Sequence, residues 1–199
     1  MEKKKMEIRA LGIAPTAADD SRRISGYAIV WGVRSRVIPS WDGDFIETIE
    51  AGAVDEALIA RSDVKALYNH DHNQLLARSV NGEGTLQLFI DEKGLRFEFD
   101  APNTTVGNDV LELVRRGDLR GCSFAFTVSE ENVIYSRDGE EKIRTIRKLS
   151  GLYDVSIVVE PAYTQTSVDA RSFDAQEEQR STPSPELLDM RKYLRMSSL

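Results

Sequence analysis

The sequence predicts a mainly β fold with a few helices, of the α+β class. Apolar and polar residues alternate along several short segments in the middle of the chain, and turns containing glycine separate these segments. Only two segments between them have the spacing of short amphipathic helices. The chain of 199 residues is 41% hydrophobic, which suffices for one ordinary domain with a sizeable core plus tails.

The strands are predicted from aromatic and β-branched residues and from an alternation of period two. Residues 25–31 are rich in both residue types. Residues 85–91 and 95–100 alternate on both sides of a glycine-containing turn, which indicates a hairpin. A second hairpin is predicted to pair residues 133–135 with residues 142–146. Three further extended segments are predicted at 64–70, 122–129 and 152–159.

Two helices are predicted between the strands, at residues 53–60 and 108–116. Gly117 is a natural C-terminal stop for the second helix. Residues 172–185 are rich in Gln, Glu, Ser and Pro, which is the composition of a solvated linker. A short amphipathic helix is predicted to follow at residues 185–194.

This pattern predicts one domain over residues 1–171 and a flexible tail over residues 172–199. The net charge of −7 and the pI near 5.0 argue against nucleic acid as the main ligand, because phosphate binding needs clustered Lys and Arg. The single cysteine, Cys122, fits a reducing compartment. The N-terminal residues carry no apolar run of signal-peptide length, and no segment approaches the roughly 20 apolar residues of a membrane span. We therefore expect a cytoplasmic protein that binds no membrane.

The candidate site depends on histidine, because the chain has only two, His70 and His72. A hydroxyl nucleophile needs a base, usually histidine, and the base needs an acid or a second imidazole to fix its tautomer. Ser123 is the candidate nucleophile. Asp154 is the candidate orienting acid, because a carboxylate within an apolar strand costs free energy unless it is paired or exposed.

Strand geometry refines the placement of these side chains. Alternation over residues 122–129 puts Cys122 on the core face and Ser123 on the opposite face, which we expect to be an open surface. The same alternation over residues 64–70 puts His70 on one face with Val64, Ala66 and Tyr68.

The same residues also permit other interpretations. Ser123 is compatible with a plain position on a solvated strand. His70 and His72 are compatible with turn residues or with half of a metal site, but a closed zinc site needs about four ligands and the chain has one cysteine. We therefore expect neither a metal nor a cofactor. Cys122 is an alternative nucleophile, although its predicted burial argues against reactivity.

Several motifs, taken in order, resemble those of a known family. The chain resembles the prohead serine proteases of tailed bacteriophages, which mature the capsid and share a fold with the herpesvirus assemblins. The resemblance covers roughly residues 8–168. The matching segments are residues 26–32, 45–49, 52–55, 67–71, 94–95, 117–126, 154–158 and 161–163.

The resemblance implies a closed, assemblin-like β-barrel flanked by a few helices, with Ser123 as nucleophile and His70 as general base. In assemblins the third member is a second histidine on a late strand, and this chain has no late histidine. Asp154 lies where similar phage proteases carry an acidic residue, and it is assigned to this role with His72 as the alternative.

The resemblance also implies the function. A Ser-His-Asp serine endopeptidase of this family would cleave the scaffold segment of the major capsid protein and itself, as a dimer or higher homo-oligomer inside the prohead in the host cytoplasm. The oxyanion of the reaction would be held by backbone N–H groups, and Arg120 and the loop after Pro161 are the candidates to supply them. The alternative is a catalytically inactive scaffold protein with the same barrel, although the complete residue set argues against it. No Gly-x-Ser-x-Gly motif supports an α/β-hydrolase.

Overall fold

The structure is a computed structural model that describes residues 6–10, 14–17, 21–41 and 43–159. The chain divides into two units, Met1–Thr166 and Ser167–Leu199, and every described residue belongs to the first. In chain order the described elements are β1 (Glu7–Ala10), β2 (Thr16–Ala17), β3 (Arg23–Val30), β4 (Phe45–Ile49), α1 (Glu56–Ile59), β5 (Asp63–Tyr68), β6 (Asp71–Val80), β7 (Glu83–Gly84), β8 (Gln87–Ile90), β9 (Gly94–Asp100), α2 (Thr105–Arg116), β10 (Gly121–Val128), a 3₁₀ turn (Glu130–Asn132), β11 (Val133–Asp138), β12 (Glu141–Ile146) and β13 (Leu149–Val158).

The described strands form three sheets. The largest has the order β1-β10-β13-β5-β6-β7, in which β13 and β5 are parallel and the other pairs are antiparallel. A second sheet has the order β2-β3-β9-β8 and a third has the order β11-β12-β4. Within the described residues each sheet stays open, so the mainly β fold with few helices is confirmed and the closed barrel stays a prediction.

Both predicted hairpins are present. β8 pairs with β9 from Ile90↔Leu95 outward, and β11 pairs with β12 from Asp138↔Glu141 outward. The third sheet also contains a parallel pair that local patterns do not predict, since β12 lies beside β4, nearly a hundred residues away in the chain. Only the local part of each sheet was therefore predictable from alternation.

Both predicted helices are present, but their boundaries were predicted with different accuracy. In α2, the side chain of Thr104 caps the N-terminus and Gly117 ends the helix with a φ of 74°. The left-handed φ explains why glycine is favoured there. α1 begins later than predicted, because Asp55 turns the chain and its carboxylate accepts the Leu58 N–H at 2.7 Å as an N-cap.

A single core connects the three sheets and both helices. Side chains of β3, β9 and β10 meet those of β4, β12, α1 and α2 in it, including Ile24, Phe97, Phe124, Ile49, Ile146, Leu58 and Val110. This core fixes the backbone of β10, which is buried along nearly its whole length. No helix in the described part of the chain has the length and apolar character for a membrane crossing. The predicted tail, the helix at 185–194, the boundary at residue 171 and the Pro161 loop lie outside the described residues.

Candidate functional site

His70 lies in a tight turn between β5 and β6. Tyr68 pairs with Asp71, so Asn69 and His70 form the two-residue connection, with φ values of 53° and 59°. Two consecutive left-handed residues are typical of the hairpin turn that matches strand twist, and asparagine tolerates this conformation well. The prediction that His70 continues a strand face was therefore wrong, because the chain reverses direction at Asn69.

The turn is tied to β13 by its backbone and by a side chain. The N–H of Asn69 donates to the Ile157 carbonyl at 3.0 Å, and the Val159 N–H donates to Asn69 Oδ1 at 3.1 Å. These bonds hold the imidazole of His70 at the end of the sheet. A non-glycine residue keeps a strained, positive φ only where its surroundings impose it, and these two bonds are such surroundings for Asn69.

Ser123 and Asp154 come from neighbouring antiparallel strands. In the register of β10 and β13, Ser123 faces Ser156 and Ala125 faces Asp154. Since β13 lies between β10 and β5, the turn after β5 brings His70 towards both residues. Asp154 is buried, as expected of a carboxylate in an apolar strand that has found a partner.

The three predicted residues lie in one hydrogen-bonded chain. His70 Nε2 is 2.6 Å from Ser123 Oγ, and His70 Nδ1 is 2.7 Å from Asp154 Oδ1. A carboxylate only accepts when ionised, so Nδ1 carries the proton and the Nε2 lone pair faces the serine hydroxyl. This arrangement can move a proton from Ser123 to His70 while Asp154 stabilises the resulting imidazolium.

The predicted open surface at Ser123 is wrong, because the residue is 0% exposed. β1 pairs with β10 and places Ala10 opposite Ser123. The Ser123 hydroxyl also donates to the Arg9 carbonyl at 2.8 Å. Alternation correctly assigned the two faces of β10, but it could not predict that β1 pairs along the edge of β10 or that His70 contacts Ser123 on the second face. Because the hydroxyl has one proton, Arg9 and His70 compete for it.

The other candidates lie apart from this chain of bonds. Burial raises the pKa of the Cys122 thiol to about 12, so it stays protonated and unreactive near neutral pH. His72 is exposed on β6. Arg120 is also exposed, and its guanidinium donates to the Gly117 carbonyl. Among the described residues, no group of three or more His, Cys, Asp or Glu is arranged to hold a metal ion.

Sequence reasoning missed Ser156 as a functional candidate. Its hydroxyl donates to Asp154 Oδ1 at 2.8 Å and lies 3.1 Å from His70 Nδ1. Alternation does place Ser156 on the same strand face as Asp154, so this spacing was an available signal. We call His70, Ser123, Asp154 and Ser156 the His70 cluster.

A second buried polar group, the ion cluster, lies near the nucleophile and consists of Glu7, Arg9, Glu47 and Arg144. It connects β1 to β4 and β12. Arg9 Nε donates to Glu47 at 2.6 Å and Arg9 Nη2 to Glu7 at 2.6 Å. Arg144 donates to Glu7 through Nη1 at 2.7 Å and Nη2 at 2.8 Å, and also donates to Glu47.

Charge pairing outweighs burial at Glu7. Burial alone raises the pKa of this carboxyl, but the charges and hydrogen bonds of Arg144 and Arg9 lower it below its ordinary value of 4.5. The side chain of Arg9 therefore anchors β1 while its carbonyl contacts Ser123, so the ion cluster supports the strand that accepts the Ser123 hydrogen bond.

Comparison with known proteins gives the family. No curated protein sequence matches the chain. A solved structure of the bacteriophage T4 capsid assembly protease is similar with a TM-score of 0.48 and 10% sequence identity, over 80% of this chain and 100% of that chain. The sequence model of the caudovirus prohead serine proteases matches residues 4–180, which is most of the chain. The chain therefore belongs to the caudovirus prohead serine protease family.

Proposed function

We propose that this chain is a serine endopeptidase that matures a phage capsid, with Ser123 as nucleophile, His70 as general base and Asp154 as the acid that orients the base. The supporting observation is the hydrogen-bonded chain from Ser123 Oγ through both imidazole nitrogens to Asp154. Family membership makes serine protease chemistry the expected use of this arrangement.

The proposed reaction follows from these contacts. Ser123 Oγ attacks the carbonyl carbon of the scissile bond as its proton passes to His70 Nε2. The tetrahedral intermediate collapses, and His70 returns the proton to the leaving amine while the acyl group stays on Ser123. Water then attacks the acyl-enzyme, His70 takes the proton of that water, and the acid product leaves with the serine hydroxyl restored. Asp154 remains ionised throughout.

The hydroxyl proton of Ser123 must leave the Arg9 carbonyl before it can pass to the base. Ser123 is buried and its hydroxyl bonds to the Arg9 carbonyl, so attack requires the hydroxyl to turn towards His70 Nε2, 2.6 Å away, and the surroundings of Ser123 to open for the substrate. The loss of the Arg9 contact also leaves the hydroxyl proton to His70 alone.

The proposed substrates are the scaffold segment of the major capsid protein and the chain itself, inside a prohead in the host cytoplasm, with the enzyme as a dimer or higher homo-oligomer. The proposed enzyme domain covers residues 1–171 and closes its sheets into a barrel. A core shared by all three sheets is compatible with closure. The proposed tail, residues 172–199, is the segment that the enzyme removes from itself.

Co-expression with the major capsid protein of the same phage tests this function. We expect the wild-type chain to shorten the capsid protein and to cleave itself at a site between Ser172 and Leu199. Intact mass measures both products. Ser123→Ala should leave both proteins at full length. Ser150→Ala, a serine substitution elsewhere on β13, is the matched control and should cleave normally. Equal masses with wild type and Ser123→Ala would contradict the proposal and favour an inactive scaffold protein.

A further inference from the structure

Ser156 occupies a position that the three-residue scheme does not explain. It lies directly opposite Ser123 in the β10–β13 register and is fully buried. A buried hydroxyl needs a hydrogen-bond partner, and many strand serines satisfy this need with a backbone carbonyl. Ser156 instead donates to Asp154 Oδ1 at 2.8 Å, on the carboxylate oxygen that also faces His70.

The direction of this bond determines what Ser156 offers to histidine. Because its proton points to Asp154, the lone pairs of Ser156 Oγ are free to face His70 Nδ1, 3.1 Å away. The Nδ1–H then lies between two acceptors, Asp154 Oδ1 at 2.7 Å and Ser156 Oγ at 3.1 Å. Both acceptors sit on the same rigid strand, two residues apart.

The same geometry argues against Ser156 as a second nucleophile. A nucleophilic serine must lose its proton to an unprotonated nitrogen, but Ser156 faces Nδ1, which carries the proton that Asp154 accepts. The free lone pair of His70 is on Nε2, and that atom faces Ser123 at 2.6 Å.

We infer that Ser156 is a positioning residue that locks the carboxylate of Asp154 and keeps the Nδ1–H tautomer of His70 directed at it; this inference rests on the proposed function. A bond from Ser156 restricts rotation of the carboxylate, while its lone pair gives the Nδ1–H a second acceptor in the same direction. Rotation of the imidazole away from Ser123 would then break two contacts instead of one. Positioning groups of this kind act on the rate of the chemical step more than on substrate binding.

The test compares Ser156→Ala and Ser156→Thr with wild type and with Ser150→Ala. Ser150 is a matched control because it lies on the same strand and its hydroxyl bonds to Ser129 Oγ at 2.8 Å, away from His70. We expect Ser156→Ala to lower kcat on the capsid precursor by about tenfold to a hundredfold with KM little changed, since a hydrogen bond to a charged group is lost. Ser156→Thr keeps the hydroxyl and should restore most of the rate.

A spectroscopic measurement separates positioning from a general structural role. The chain has only two histidines, so ¹⁵N NMR of the imidazole rings, with His72→Gln to assign them, reports the tautomer of His70 directly. We expect one Nδ1–H tautomer in wild type, Ser156→Thr and Ser150→Ala, and a weakened or exchange-broadened Nδ1–H signal in Ser156→Ala. This measurement needs no substrate.

Two results would overturn the inference. One is an unchanged Nδ1–H signal in Ser156→Ala, whatever happens to its rate, since a loss of rate would then come from packing. The other is a Ser156→Ala enzyme with the wild-type kcat. If the wild-type chain itself cleaves no capsid protein, the proposed function fails, and the NMR comparison still decides whether Ser156 fixes the imidazole. If Ser156→Thr misfolds, the comparison of wild type with Ser156→Ala decides alone, because Ser156→Ala removes only the hydroxyl oxygen.

Discussion

The His70 cluster and the ion cluster are both buried polar networks of four residues, but they satisfy their polar groups differently. The His70 cluster contains directional hydrogen bonds around an imidazole that can gain or lose a proton. The ion cluster contains two carboxylates and two guanidinium groups whose charges cancel. One donor there, Arg144 Nε, is buried without a hydrogen-bond partner among the described residues.

This difference indicates what each network is suited to do. Arginine stays charged at any pH at which the protein is folded, so the ion cluster can hold strands together but cannot move a proton. An imidazole can both accept and donate a proton, so the His70 cluster can move one. Arg9 belongs to the ion cluster through its side chain and reaches the His70 cluster through its carbonyl. Separate substitutions should therefore damage stability and catalysis separately.

The largest effect is expected from removal of the imidazole. His70→Ala deletes the group that bonds both Ser123 and Asp154, so kcat should fall about 10⁶-fold, and adding Ser123→Ala should cost little further. His72→Ala is the matched control, because His72 is exposed on the adjacent strand, and it should cleave capsid precursor near the wild-type rate. A larger loss from His72→Ala than from His70→Ala would reverse the choice of base.

Asp154→Asn should have a large but smaller effect on rate. Asparagine fills the same space but offers Nδ1 a neutral amide, which removes the charge that stabilises the imidazolium and permits the wrong tautomer. We expect kcat to fall by about 10⁴-fold with the fold intact, measured by cleavage and by circular dichroism. An Asp154→Asn enzyme that cleaves at the wild-type rate would remove Asp154 from the proposed mechanism.

The ion cluster should control stability instead of chemistry. Glu47→Gln leaves two buried guanidinium groups with one carboxylate in the cluster, which should cost roughly 3 kcal/mol or more of unfolding free energy in urea denaturation. Glu141→Gln is the matched control, since Glu141 pairs with Arg34 at an exposed site and should hardly move the midpoint. Equal midpoints for the two variants would show that the ion cluster contributes no more than a surface pair.

The two clusters also differ in how far the sequence reveals them. A chain with two histidines directs attention to His70, and a carboxylate in an apolar strand singles out Asp154. In contrast, 33 acidic and 26 basic residues offer no pattern that marks the four members of the ion cluster. They are buried only because β1, β4 and β12 meet, and that meeting depends on pairings between segments distant in the chain.

The same distinction explains the errors in the predicted site. Alternation is a local property, and it correctly placed Cys122 inside and correctly predicted the two hairpins. The burial of Ser123 depends on neighbours from distant segments, among them Arg9 in β1 and His70, so no local pattern contains it. The left-handed turn at Asn69 and His70 depends on contacts with β13, which alternation also does not encode.

The smallest expected effect is the pH dependence of the ion cluster. The pKa of Glu7 is lowered in the folded chain, so its contribution to stability is complete above the ordinary value of 4.5 and is lost as pH falls through the folded-state pKa. One carboxyl can change the unfolding free energy by at most about 1.4 kcal/mol per pH unit. Glu7→Gln should therefore be less stable than wild type at pH 7, and the two curves should converge as pH falls below 4.5.

Salt separates this contribution from that of a surface carboxylate. Hydrogen bonds from Arg78 lower the pKa of Asp63 to about 2, but this pair is half exposed, whereas Glu7 is buried. Added salt screens exposed charges much more than buried ones. In concentrated NaCl, the difference between wild type and Asp63→Asn should shrink, while the difference between wild type and Glu7→Gln should persist. If salt removes both differences equally, Glu7 is solvated in solution and β1 is not anchored by buried charges.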